Sequence, residues 1–187
     1  FVAVLPFSMY CYVEACPRMD SKNWINCHIH AFEYFGGVSR ILVPDNLKTG
    51  VIEHKKYEDP VLNKSYQEMA DYYGMAVIPA RVKMPKDKGA AEGSVFSMAT
   101  TILGILRNRT FFTFESLNKA IYIELNKLNN EEFQKREGSR KSVYMNEEKD
   151  YMNPLPEHPF ELSEWKMATV QLNYHIQVDK MNYSIPY

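Results

Sequence analysis

Apolar positions along the chain recur in two periods, about two residues and about 3.6 residues, and the changes between them mark the elements. Two apolar runs, Phe1 to Phe7 and Tyr10 to Ala15, are separated by Ser8-Met9 and predict a β-hairpin. Pro17 ends the second strand. Asp20 or Ser21 then caps a helix whose Trp24, Cys27, His28, Ala31, Phe32 and Phe35 share one face, closed by Gly36-Gly37. Ile41-Leu42-Val43 reads as a buried strand that stops at Pro44, with Asp45 just past its end. After a charged stretch, Glu53 to Asp59, a helix carries Tyr66, Met69, Ala70 and Tyr73 on one face and stops at Gly74, and Met75 to Ile78 gives the next strand. A longer helical pattern puts Val95, Phe96, Ala99, Ile102, Leu103 and Leu106 on the face that Glu92 also occupies, and it ends near Arg107 to Arg109. The following helix has Thr113 as N-cap, Phe112 and Leu117 as a hydrophobic staple, and Phe114, Leu117, Ile121, Leu125 and Leu128 as its buried stripe.

Beyond Glu131 the periodicity fades. Charges alternate in sign, Pro154, Pro156 and Pro159 cluster, and the stretch reads as a linker or arm. From Ala168 to Asp179 apolar and polar residues alternate, as a half-buried strand requires, and Lys180-Met181 predicts a turn into a second strand ending at Tyr187. The expected organisation is therefore a core over 1–130, a linker or arm over 131–165 and the start of a small β-rich domain over 166–187.

Composition narrows the class without naming a chemistry. At 187 residues, 45% hydrophobic and 13% aromatic, the chain can bury an ordinary core. Twenty-two basic residues against 23 acidic ones give a formal net charge of −1, so contact with a polyanion has to come from local patches. Three cysteines, Cys11, Cys16 and Cys27, form no disulfide framework and suit a reducing cytoplasm, and no apolar run is long enough to span a membrane. Cys27, His28 and His30, with Cys11 and Cys16, offer zinc-type ligands. Their spacings match no structural zinc site, and Cys27 fits a packed helix face.

The candidate chemistry lies in two carboxylates. Asp45 sits at a strand end, where α/β folds place their reactive groups, and Glu92 lies on an apolar helix face, where a carboxylate is costly unless paired, protonated or bound to a cation. Together they suit a shared divalent metal; alternatively Asp45 caps a turn and Glu92 meets a lysine. The loop before Glu92 carries Arg81, Lys83, Lys86 and Lys88 against Asp87 alone, and Lys48 follows Asp45, so the basic side chains flank the carboxylates as phosphate contacts would. Lys135 and Arg136, with Arg140 and Lys141, form a second basic stretch that either tracks a DNA backbone or is solvated linker.

Three separated runs carry a resemblance: RILVPDNLKTGV from Arg40 to Val51, IPARVKMPKDK from Ile78 to Lys88 leading to Glu92-Gly93, and FQKREGS from Phe133 to Ser139. They resemble the IstA-type insertion-sequence transposases, members of the DDE group with a retroviral-integrase catalytic core, and the resemblance extends over essentially the whole chain. It implies an RNase H-like α/β fold, a mixed sheet flanked by helices, followed by the start of a small β-barrel. It also implies metal-dependent phosphoryl transfer on DNA with two Mg²⁺ (or Mn²⁺) ions, Asp45 and Glu92 matching the second Asp and the Glu of the family's three carboxylates. The first Asp has no counterpart. Phe1 is not an initiator methionine and the sequence opens directly in a strand, as expected of a piece of something longer. The family's missing strand lies between the hairpin and the Asp45 strand, which predicts two sheet edges left exposed or paired directly and a chain poorly stable alone.

The partners implied are transposon-end and target DNA, further copies of the chain and a helper ATPase, in the bacterial cytoplasm. Two other readings stay open: an inactive fragment that keeps only DNA-binding or assembly capacity, and a generic α/β interaction domain.

Overall fold

A computed structural model describes residues 1–44, 51–53, 61–78, 98–163, 167–172 and 174–185. The opening hairpin pairs β1 (Val2–Val4) antiparallel with β2 (Cys11–Val13), Val4 opposite Cys11. Its turn is longer than the two residues expected, because Leu5 and Tyr10 still pair and Met9 takes a left-handed φ of 61°. Helix α1 (Ser21–Phe35) starts where Asp20 accepts a bond from the Asn23 amide and ends at Gly36, φ 68°. Gly37 is needed for another reason: a Cβ there would lie 2.8 Å from the Cβ of Met152. The chain at Asn153 docks here, exchanging backbone hydrogen bonds with Val38.

Strand β3 (Ile41–Leu42) pairs in parallel with β6 (Ala76–Val77), and β4 (Val51–Glu53) pairs antiparallel with β5 (Val61–Leu62). Between them lies α2 (Lys64–Tyr72), capped by Asn63 and terminated at Gly74, φ 65°. Among the described residues β1 and β3 pair only with β2 and β6, so the direct pairing allowed for at the sequence level is not formed. Helix α3, described over 98–106, is followed by α4 (Phe114–Asn130), whose Thr113 cap accepts from the Ser116 amide. A short α5 (Arg140–Val143), a π turn, Tyr144–Glu148, and a 3₁₀ turn, Lys149–Tyr151, follow. The last elements are the hairpin β7 (His175–Val178) and β8 (Met181–Ser184). Its turn is Asp179-Lys180, both at positive φ, one residue earlier than the spacing predicts, and pairing begins only at His175.

The opening hairpin is covered on both faces. Tyr10 and Leu5 pack with Ala31 and Phe35 of α1 and with Tyr144, while Cys11 packs with Met98, Ile102 and Leu106 of α3 and with Ile121 and Leu125 of α4. A third cluster joins α1 to α2 through Ile25, Ile29, Phe32, Tyr66 and Met69. The buried stripe of α3 runs through residues spaced by four, so Leu103, expected inside, is 63% exposed. In α4, Phe114 also lies outside, and Phe112 is 95% exposed, which removes the staple expected with Leu117. Of residues 131–165, expected as a linker or arm, the described part is anchored to the core as far as Phe160: Tyr144 is buried and donates to the Phe35 carbonyl, Tyr72 donates to the His158 carbonyl, and the Phe160 amide donates to the Tyr73 hydroxyl.

His28 is fully enclosed in α1. Its Nδ1–H donates to the Trp24 carbonyl at 2.8 Å, which leaves Nε2 to accept from the Tyr66 hydroxyl at 3.3 Å. Burial pushes its pKa down to about 4 from the ordinary 6.5, against the opposing pull of that carbonyl. Between those two values the unfolded chain binds a proton that the folded chain refuses, so stability is full above pH 6.5 and is lost as pH falls toward 4. The loss expected is about 3 kcal/mol. Urea midpoints at pH 7 and 4.5 should therefore fall further in the wild type than in His28→Phe.

Candidate nucleic-acid-processing site

The parallel pair β3–β6 sets the site's position. Ala76 donates its amide to the Arg40 carbonyl and Ile78 donates to the Leu42 carbonyl, each at 2.9 Å, so both strands run toward the same end of the sheet. There β3 gives way to the buried Pro44, and Asp45 is the next residue; β6 gives way at Ile78, three residues before Arg81. The carboxyl ends of parallel strands are where such sheets present ligand-binding groups. Asp45, Lys48, Arg81, Lys83, Lys86, Lys88 and Glu92 themselves lie outside the described residues. The described support comes from α2, whose buried Tyr66, Met69 and Ala70 carry Leu42 and Val77 against α1. A second support is α3, locked onto β2 and α4 by Met98, Ile102 and Leu106.

The second basic stretch is described, and its two predicted DNA-binding residues differ in placement. Lys135 is exposed. The Arg136 guanidinium lies 3.9 Å over the Phe133 ring and donates to the carbonyls of Phe7 and Ser8 at 3.2 and 3.1 Å. A backbone bond from the Phe133 amide to the Gly138 carbonyl closes the loop, with Gly138 at φ 82°. Arg140 shares the Phe133 ring and donates to the Leu128 carbonyl. The motif from Phe133 to Ser139 thus clasps the turn of the opening hairpin, and the Ser8 amide is held from a further side by Glu148 Oε2. Aromatic stacking fixes the guanidinium plane while the fork donates in two directions, a geometry lysine does not reproduce.

Two asparagines of α4, missed at the sequence level, perform a related task. Asn129 Oδ1 accepts from the Cys11 amide at 3.3 Å, and its Nδ2 donates to the Cys11 carbonyl at 2.8 Å and to the Tyr34 hydroxyl. Asn118 makes the same pair of bonds with Ala15. Two side-chain amides therefore occupy the outer edge of β2, where a further strand would otherwise bind. A polar residue at 118 and at 129, in register with Ile121 and Leu125, was the signal available.

The cysteine and histidine set does not gather as metal ligands. His28 is committed to Trp24 and Tyr66, and His30 faces the Glu14 carboxylate at 3.0 Å. Among the described residues no group of three or more His, Cys, Asp or Glu is placed to hold an ion. Among them, too, no helix is long and apolar enough to cross a membrane.

The fold is that of retroviral integrase catalytic cores. It superposes on the catalytic core domain of BIV integrase with a TM-score of 0.57 at 14% identity, covering 79% of this chain and 85% of that one. A simian T-cell lymphotropic virus intasome chain, solved with a PP2A regulatory subunit, matches with the same TM-score over 95% of this chain and 56% of its own. No protein-family model matches the chain. Along its whole length the chain is a homologue of insertion-sequence transposases. It is 40% identical over 187 residues to a Sinorhizobium fredii protein assigned as transposase y4bL/y4kJ/y4tB, 37% identical over 186 residues to that assigned to IS1162 of Pseudomonas fluorescens, and 25% identical over 189 residues to the IS21 transposase of Pseudomonas aeruginosa. The first two matches take in 36% and 33% of those proteins, so the chain spans about a third of their length.

Proposed function

We propose that these residues form the catalytic-core part of a DDE-type insertion-sequence transposase that cleaves element ends and joins them to target DNA in the bacterial cytoplasm. What carries the reading is the whole-length likeness to transposases on an integrase-core fold. Asp45 and Glu92 serve as metal ligands. Their donors are hard carboxylate oxygens, which fit a hard divalent cation such as Mg²⁺ or Mn²⁺. When bound, such ions supply charge stabilisation at the phosphate and a lowered pKa for the attacking group. Lys48, Arg81, Lys83, Lys86 and Lys88 neutralise DNA phosphates beside those carboxylates, and exposed Lys135 extends the track. Arg136 acts through the hairpin turn it holds. Further copies of the chain and a helper ATPase complete the assembly.

Only two of the family's three carboxylates match positions in these 187 residues. That observation favours a second reading for the chain taken alone, in which it binds DNA without joining it. The test of the main reading therefore uses a chain of the relatives' length, labelled element-end DNA and a target plasmid. Joined product is expected with Mg²⁺, absent in EDTA and restored by Mn²⁺. Product that persists in EDTA would overturn the metal-dependent mechanism.

A further inference from the structure

The connection between α3 and α4 carries a surface that the carboxylate site does not use. Its residues 107–110 are all exposed. Phe111 is half-buried against the cluster of Ile102, Leu106 and Ile121, whereas its neighbour Phe112 is 95% exposed. Leaving a phenylalanine in water forgoes about 2 kcal/mol of burial, which an occupant stacked on the ring would recover. Both ends of the connection are tied: the Arg109 amide donates to the Leu106 carbonyl, and Thr113 caps α4 through the Ser116 amide.

Charge indicates what that occupant is. No Asp or Glu occurs between Glu92 and Glu115, while Arg107 and Arg109 both fall within that stretch. Among the described residues no carboxylate pairs with either guanidinium, and Arg109 lies 5.3 Å over the Phe111 ring, which orders the cation without neutralising it. An exposed aromatic ring three and five residues along the chain from two guanidiniums that pair with no described carboxylate matches a nucleic-acid strand with an accessible base: the ring stacks on the base and the arginines meet the flanking phosphates. A base paired within a duplex hides its face. We propose that Arg107, Arg109 and Phe112 form a contact for an unpaired DNA strand, with Phe112 stacking on one base. The proposal rests on the reading that the protein handles DNA, and it assigns to this connection a strand contact separate from the basic loop before Glu92.

Fluorescence anisotropy on the full-length chain tests it, with a labelled 20-nucleotide single strand and the matching blunt duplex as probes. Phe112→Ala is expected to weaken single-strand binding about tenfold and to leave duplex binding within about twofold, and Phe112→Trp is expected to restore it. The Arg107→Ala/Arg109→Ala pair is expected to weaken single-strand binding and to flatten its log–log salt slope by about 1.4, two phosphates' worth. Unchanged single-strand affinity in Phe112→Ala would overturn the proposal. So would a variant whose sedimentation shows a smaller oligomer while its DNA affinity is intact, since that assigns the ring to a protein contact. A wild-type chain with no affinity for either probe overturns it together with the DNA reading. Because binding rather than joining is measured, the result stays independent of the roles assigned to Asp45 and Glu92.

Discussion

Asp45→Asn is expected to reduce strand joining by about a thousandfold or more while DNA binding stays within about twofold. A metal-held carboxylate contributes several kcal/mol to the charge developing on a transferred phosphate, and about 4 kcal/mol corresponds to that factor. The amide is nearly isosteric but neutral, so it keeps the side-chain shape and loses the charge of the proposed ligand. Binding should survive because, on the proposed reading, it is carried by the basic side chains and not by Asp45. Glu92→Gln should behave alike, and the double variant should lose little more than either single one, as expected of groups that act as a unit. The measurement is single-turnover joining of labelled element ends by the full-length chain. Joining that persists in Asp45→Asn rejects the assigned site, whereas loss of both joining and binding points to damaged folding instead.

The second large effect concerns stability. Asn129 is fully buried and meets both the amide and the carbonyl of Cys11. Asn129→Leu fills the volume but strands both backbone groups against α4, at about 1–3 kcal/mol each. A destabilisation of about 3 kcal/mol is expected, seen as a lower urea midpoint with an unchanged slope. Asn129→Asp should do worse at neutral pH, because it buries a charge beside the Cys11 carbonyl. Asn118→Leu should cost less, its bonds to Ala15 being only partly buried. A shift below about 1 kcal/mol in Asn129→Leu would mean that another group satisfies the strand edge.

Local chemistry was the legible part of the fold. Asp20, Thr113, Gly36 and Gly74 act through their own backbone neighbourhood, so caps and stops read from the sequence hold in the structure. The failures share a cause. Phe112 sits one residue before the cap, in a position to staple Leu117, but the angle at which the chain enters α4 is set by Phe111 packing on the α3–α4 cluster, a tertiary term no local pattern contains. Leu103 went astray because a stripe spaced by four, Met98, Ile102 and Leu106, won over the 3.6-residue average. The reading of Pro154, Pro156 and Pro159 as part of a linker or arm is a separate matter, since it says nothing of where that segment docks. Proline rigidity suits a docked segment equally, and the partners, Val38, Tyr72 and Tyr73, are distant in sequence. For the site, strands β3 and β6 were legible from their apolar runs, although Ile41 and Val43, expected inside, are exposed; the shared metal of Asp45 and Glu92 was read from their positions and from family resemblance, and both residues lie outside the described ones. Arg136, read as a DNA contact, also holds the Phe7 and Ser8 carbonyls, partners that a basic residue in a polar loop gives no sign of.

The clasp around Ser8 also imposes an order on biosynthesis. Its amide bonds to Glu148, 140 residues later, and its carbonyl bonds to Arg136, 128 residues later. A ribosome adding about 5–20 residues per second needs on the order of ten seconds to cover that distance. During that interval the hairpin lacks its clasp and the Asn118 and Asn129 side chains that later cover β2. For a nascent chain this is a window in which the edge of β2 is open to pairing with other chains.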